Sequence, residues 1–300
     1  MKISCCINTY KRPFLLNKCL YSLLTQNGLE NISLEIIVVD NDLLASGRKV
    51  IDDLNNSLKI SIKYFVQPIK NISLTRNKAV SEAKGDLILF IDDDGYADSN
   101  LLKSYLDCMN MYQADALFGQ VIPYYEEGVA QWIRKGNFFY RSVQKTGEKS
   151  KFTRTGNCLI KSELLKSIEG PFDPEFGLTG GEDINMFGQL AAKGAKFIFC
   201  AEAIVYDYVP RERANPGWLT RRYYRTGLTF TERVINNSKY KFFRKLYEIV
   251  KGIVYIAVSF LLMILYLPIK HKCFFWYLKI VGNIGHVSAV FGCKYEEYKK

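Results

Sequence analysis

The stretch Leu87-Ile88-Leu89-Phe90-Ile91-Asp92-Asp93-Asp94 runs five apolar residues straight into three carboxylates. So apolar a run fits a strand covered on both faces of a parallel sheet, and open α/β sheets take their ligands beyond the carboxyl ends of such strands. Side chains alternate along a strand, so Asp92 and Asp94 are expected on one side and Asp93 on the other. The outer pair can then converge on one divalent cation. An acidic surface loop is the competing reading, and the neighbouring segments have to decide between them.

Upstream, Ile3 to Ile7 reads as a short buried strand, followed by the polar turn Asn8 to Pro13 and an amphipathic segment, Phe14 to Gln26. Leu34 to Val39 is a second strand closing on Asp40-Asn41-Asp42. A helix from Ser46 to Leu58, a third strand from Ile60 to Val66 and a helix from Ser73 to Ala83, broken by Gly85, lead back to the acidic strand. Four strands alternating with three helices predict an α/β fold with a mostly parallel, doubly wound sheet. Downstream, Leu101 to Tyr112 is helical and Ala116 to Tyr125 is a strand. Trp132 to Arg154, aromatic and weakly periodic, reads as a loop over a site. Strand character resumes at Thr155 to Ile160, and Phe172 to Phe176 is a turn. A helix opens at Thr179-Gly180-Gly181-Glu182-Asp183 and runs to about Lys193, and Phe197 to Cys200 and Ala203 to Tyr208 make two short strands.

Asp40 ends the second strand as Asp92 ends the fourth, and Thr9, Tyr10 and Arg12 follow the first. A polar rim at successive strand ends suits a base, a ribose and a diphosphate. Arg76 and Asn77 extend it, while local turn formation is the alternative duty for Asp40. Neither a GxGxxG fingerprint nor a GxxxxGK[ST] loop is present, so phosphates must be neutralised by metal and arginine. Thr179-x-x-Glu182 has the spacing of a capping box, which leaves Asp183 in the first turn as a candidate general base. Asn215-Pro216 has the form of an N-cap and a first helical proline. On the helix that follows, Trp218, Arg221, Arg222 and Arg225 share a face: a solvated basic face, or the wall of a diphosphate site to which Arg211 and Arg213 add.

The net charge of +11 is unevenly placed, because residues 211 to 300 hold 17 Lys and Arg against 5 Asp and Glu, while the preceding part is nearly balanced. A neutral body with a basic, apolar tail favours an anionic membrane surface over nucleic acid. Gly252 to Ile269 contains 18 consecutive uncharged residues, about 27 Å as a helix against a ~30 Å hydrocarbon core. Cys273 to Cys293 is a poorer candidate. Lysines flank both ends of the first run, which fits a hairpin or interfacial helix with both ends cytoplasmic. A buried helical subdomain or a homodimer interface is the alternative. The eight cysteines are scattered without a CxxC pair, so zinc and disulfide frameworks are not expected, and the short apolar start offers no export signal. Both point to a chain on the cytoplasmic face of the inner membrane, peripheral or hairpin-anchored.

In order along the chain, Thr9-Tyr10-Lys11-Arg12-Pro13, Val38-Val39-Asp40-Asn41, Leu74-Thr75-Arg76-Asn77, Phe90-Ile91-Asp92-Asp93-Asp94 and Gly181-Glu182-Asp183 resemble the family 2 glycosyltransferases, inverting enzymes of the GT-A fold. The resemblance covers about residues 1 to 235, leaving 236 to 300 as the tail, and is to the branch that builds bacterial exopolysaccharide and lipopolysaccharide. It implies that Thr9, Tyr10, Arg12, Asp40, Arg76, Asp92, Asp93, Arg213, Trp218 and Arg222 hold a nucleotide-sugar, UDP-linked. It also implies that Asp92 and Asp94 bind Mg²⁺ or Mn²⁺, that Asp183 is the base, and that Glu182 and Trp132 face the glycan or lipid-linked acceptor. Where the family has Gln-x-x-Arg-Trp, this chain has Trp218 followed by Leu219. The rival functions are a sugar nucleotidyltransferase on a similar sheet and a non-catalytic, membrane-associated nucleotide-binding protein.

Overall fold

The computed structural model describes residues 1–30, 32–58, 62–236, 238–293 and 295. Ile60 and Ser61 of the expected third strand lie outside the described residues. The elements run β1 (Lys2–Thr9), α1 (Pro13–Leu24), β2 (Ser33–Asp40), α2 (Arg48–Leu58), β3 (Ile62–Val66), α3 (Ile72–Glu82), β4 (Leu87–Asp92), β5 (Gly95–Ala97), α4 (Leu101–Tyr112), β6 (Ala116–Tyr125), α5 (Gln131–Gly136), β7 (Asn157–Lys161), α6 (Ser162–Lys166), α7 (Glu182–Ala192), β8 (Phe197–Val209), α8 (Pro216–Asn236), α9 (Lys241–Leu265) and α10 (Lys270–Val290). They divide into two units, the first made of Met1–Pro123 and Arg141–Tyr208, the second of Tyr124–Tyr140 and the chain from Val209 on.

In the first unit one sheet takes the strand order β3-β2-β1-β4-β7-β6-β8-β5. The four amino-terminal strands pair in parallel, as the alternation of strands and helices requires. The parallel pairing stops at β7, which runs antiparallel to both β4 and β6, and β5 runs antiparallel to β8. The sheet is therefore mixed, since an antiparallel neighbour needs no crossover helix. One strand, β8, replaces the two short strands expected between Phe197 and Tyr208. The chain stays extended through Ala201 and exposed Glu202, whose carboxylate accepts from the Thr146 hydroxyl at 2.5 Å.

The period of two sorts the core. Leu87, Leu89 and Ile91 of β4 join Ile3, Cys5 and Ile7 of β1 on the face covered by α1 and α4. Ile88 and Phe90 join Cys6, Ile37 and Val39 on the opposite face, against Val80 of α3 and Met186, Phe187 and Leu190 of α7. Burial on both faces explains why β4 tolerates no polar residue before Asp92. Along β4 the even-numbered side chains face α3 and α7, so Asp92, next in phase, is delivered to those helices.

The second unit is built on α8, α9 and α10. Asn215 caps α8 as the sequence predicts, its side chain accepting from the Trp218 N–H at 2.9 Å. α8 and α10 approach at glycine: a Cβ on Gly227 or Gly285 would fall on the backbone carbonyl of Gly282 or Tyr224. The uncharged run from Gly252 to Ile269 does not form one helix. α9 ends at Leu265, and Pro268 in the following turn cannot continue it. Among the described residues α9 is the helix long and apolar enough to cross a membrane, by length and composition, and 17% of its most apolar window is buried.

Candidate active site

The site is assembled where β4 stops. Asp92 is the last strand residue, and the chain turns at Asp93 and Asp94 before β5. Asp93 points to the α1 side, as the alternation predicts, and is buried at 4% exposure. Its carboxylate accepts from the Thr9 hydroxyl at 2.8 Å and from the Arg12 guanidinium at 3.0 Å. Burial pushes the Asp93 carboxyl up to about 7, against the attraction of Arg12. Arg12 also donates to Asp94 at 2.9 Å. The alternation thus holds through Asp93 and not at Asp94: one arginine clamps Asp93 and Asp94, and a different one meets Asp92.

That second arginine is Arg76, on α3 and only 7% exposed. One guanidinium nitrogen is hydrogen-bonded to Glu182 Oε1, while the other lies 3.5 Å from Asp92 Oδ1. Glu182 opens α7 and is itself 5% exposed, and its second oxygen is buried without a hydrogen-bond partner. The capping-box arrangement is not formed. Gly181 takes the N-cap position at φ 100°, after Gly180 at φ 81°, and no side chain caps the helix. Two left-handed residues in succession favour glycine, and they turn the first helical residue inward onto Arg76. Glu182, expected at the acceptor, is buried and paired with Arg76. Asp183, the next residue, is partly exposed, with its Oδ1 accepting from the Ile184 N–H at 2.7 Å. Burial raises the Glu182 carboxyl; Arg76 opposes the shift and Asp183 adds to it.

Asp92 and Asp94 share a small cleft with Gly95, Val121, Arg141, Gly156, Val205 and Asp207. Asp207 arrives opposite Gly95 in the β5–β8 pairing and lies 3.5 Å from Arg141. Gly156 permits the close approach of this wall, since a Cβ there would stand 2.8 Å from Asp92 Oδ2. Arg154 feels both Arg141 and Asp183, and burial together with Arg141 lowers its proton affinity. Sequence reasoning missed Arg141, Arg154 and Asp207. The signal available for the first two was a pair of arginines inside a stretch already assigned to a loop over a site. Nothing local marks Asp207, because only the β5–β8 pairing brings it here.

The rim residues divide into those that face solvent and those that hold loops. Tyr10 is exposed, its ring flanked by the Lys11 and Lys70 ammonium groups at 5.3 and 5.1 Å. Asp40 is fully buried, and its oxygens accept from the Asp42 N–H, the Gly47 N–H and the Tyr64 hydroxyl at 2.7–2.9 Å. The turn-forming alternative describes that geometry. Asn77 pairs twice with the backbone of Phe172, at 2.7 and 2.9 Å, and so holds the strap that leads to α7. Trp132, Arg213, Trp218 and Arg222 belong to the second unit. There Trp218 stacks on Phe139 at 5.5 Å with Arg222 over its ring, and Trp132 packs edge-on against Phe138 and Phe274.

Among the described residues no group of three or more His, Cys, Asp or Glu is arranged to hold a metal by itself. The donor set of the cleft nonetheless fits a hard cation. Asp92, Asp94 and Asp207 present carboxylate oxygens to one recess, and a Mg²⁺-type ion needs only one or two protein carboxylates when substrate phosphates supply the rest.

The model of the family described as Glycosyl transferase family 2 matches residues 4–168. The succinoglycan biosynthesis protein ExoM of Rhizobium meliloti (strain 1021) is 33% identical over 225 residues, covering 74% of this chain and 71% of the relative. The O-antigen chain rhamnosyltransferase RfbN of Salmonella typhimurium (strain LT2) is 27% identical over 241 residues, 76% of this chain and 72% of that one. Among solved structures, S. aureus TarS 1-349 in complex with UDP-GlcNAc superposes with a TM-score of 0.57 at 17% identity, covering 97% of this chain and 91% of that one. The mannosyltransferase PcManGT from Pyrobaculum calidifontis, in complex with GDP-Man and Mn²⁺, gives 0.65 at 14% identity, over 95% and 86%. With its strand order, its acidic strand end and these likenesses, the chain belongs to glycosyl transferase family 2 and has the GT-A fold.

Proposed function

We propose that the chain is an inverting, metal-dependent glycosyltransferase that moves one sugar from a UDP-linked donor to a glycan or lipid-linked acceptor. The observation that carries this reading is the juxtaposition at the end of β4. Asp92 and Asp94 open on one cleft, and Asp183 stands on the helix whose first residue is joined to Asp92 through Arg76. A nucleoside diphosphate sugar as donor is supported by the ligands of the two structural neighbours, UDP-GlcNAc and GDP-Man.

Each residue then has a duty. Asp183 takes the proton of the acceptor hydroxyl as it attacks the anomeric carbon in line with the leaving diphosphate, which inverts that centre. Asp92 and Asp94 are the residues that would hold the metal, which when bound neutralises charge on the departing diphosphate. Arg12 fixes Asp93 and Asp94, and Thr9 fixes Asp93, so these two set the floor of the donor site. Tyr10 offers an exposed ring to the base, and Asp40 shapes the donor rim through the loop it ties. Arg213, Trp218 and Arg222 are assigned to the diphosphate side and Trp132 to the acceptor. Attachment is peripheral or by a hairpin, through the basic and apolar segment 239–293, at the cytoplasmic face of the inner membrane.

A panel of nucleotide-sugars, incubated with the full chain with and without Mn²⁺, tests the reading through release of the nucleoside diphosphate. Asp183→Asn should lower transfer by 10²-fold or more while UDP binding persists. Undiminished transfer in that variant removes the base, and dependence on pyrophosphate instead of UDP release would favour the nucleotidyltransferase.

A further inference from the structure

The buried Arg76 guanidinium is shared unequally. It is hydrogen-bonded to Glu182 but stands 3.5 Å from Asp92, beyond ordinary hydrogen-bond distance. The Glu182 side chain is 7% exposed and that of Arg76 8%, whereas 48% of the Asp92 side chain reaches solvent. The other Glu182 oxygen meets no donor, so Arg76 is the cation this buried carboxylate is hydrogen-bonded to. A buried arginine seeks a carboxylate in any case, because an uncompensated buried charge is costly. Two are within reach, and one of them lines the acidic cleft.

We propose that Glu182 is a positioning residue that occupies Arg76 and thereby keeps the Asp92 carboxylate free for a divalent cation. Without it, Arg76 would close the gap to Asp92 and withdraw that oxygen from the cleft. The same contact anchors the first turn of α7, so the residue that spares Asp92 also fixes where Asp183 starts. The inference rests on the function proposed above in one respect only, that Asp92 takes the cation.

Mn²⁺ binding to the full chain without substrate, followed by electron paramagnetic resonance, tests it independently of turnover. Glu182→Gln should weaken Mn²⁺ binding at least fivefold. Combining Arg76→Met with Glu182→Leu, which removes the competing guanidinium and leaves no unpaired buried charge, should return binding to the wild-type range. Wild-type affinity in Glu182→Gln, or no recovery in the double variant, overturns the proposal, as does failure of the wild-type chain to bind Mn²⁺. If Glu182→Gln does not fold, the double variant decides alone: binding at least as tight as wild type supports the proposal, and weaker binding or a second failure to fold refutes it. Nucleoside diphosphate release by the wild-type chain is scored separately, so loss of the glycosyltransferase reading and loss of this one are told apart. A weaker acceptor KM in Glu182→Gln with unchanged Mn²⁺ binding would return Glu182 to the acceptor.

Discussion

Glu35 shows how one side chain couples distant parts of the first unit. Its carboxylate accepts from the Ser4 hydroxyl at 2.5 Å and the Lys84 N–H at 2.6 Å, and it pairs with Lys2 at 2.9 Å and Lys63 at 3.0 Å. Burial alone would raise its proton affinity, yet these four donors outweigh burial and bring it down to about 2. Because the folded value lies below the unfolded one, the stabilisation is complete above about pH 4.5 and is lost as pH falls toward 2. Discounted for the partly exposed lysines, it is of the order of 2 kcal/mol. Glu35→Gln should therefore unfold more easily than wild type in urea at pH 7, with the difference closing by about pH 2. A difference that persists unchanged at pH 2 would contradict the assignment. Nothing around Glu35 in the sequence announces this: the partners are 31, 49, 33 and 28 positions away. Asp92, Asp93 and Asp94 were legible because three acids after five apolar residues are conspicuous and strand periodicity is local.

At the scale of the element, start and stop signals were mostly written locally. Asn71 caps α3, accepting from the Leu74 N–H at 3.1 Å, and Asn215 caps α8. α7 departs from its pattern because two left-handed glycines place Glu182 where Arg76, from another helix, competes for it. The α8–α10 contact is equally hidden, since a glycine at a helix surface carries no mark of what approaches it. Gly227→Leu should cost about 3 kcal/mol, toward the upper end for overpacking, because the atom in the way is backbone and cannot rotate aside. Its measure is the midpoint of chemical unfolding of the full chain. A shift below about 0.5 kcal/mol, the range of an ordinary surface change, would show that the helices do not meet there.

At the scale of the molecule, the charge surplus and the exposed apolar side chains fall on the same part of the chain. Phe242, Phe243, Ile253, Leu261 and Leu265 of α9 are exposed, with Lys239 before the helix, Lys241 and Lys245 in its first turns, and Lys270 and Lys272 after it. An apolar helix rimmed by cations at both ends fits an anionic interface. The full chain should co-float with vesicles containing phosphatidylglycerol and much less with phosphatidylcholine alone. Phe242→Ser with Phe243→Ser should reduce the bound fraction several-fold. Equal recovery with both vesicle types would remove the electrostatic part of the attachment.

The sequence by itself determined the alternating α/β plan, the buried acidic strand, the cap at Asn215, and the basic apolar carboxyl end. All of these are local: periodicity, turn chemistry and composition act within a few residues. Only the tertiary structure decided that β7 reverses the sheet, that Asp207, Arg141 and Gly156 join Asp92 and Asp94 in one cleft, and that Arg76 is held by Glu182. It also decided that Tyr124–Tyr140 join the chain after Val209 in one compact unit. Pairing between residues that are far apart along the chain is chosen by the packing of whole elements, and no window of sequence contains both partners.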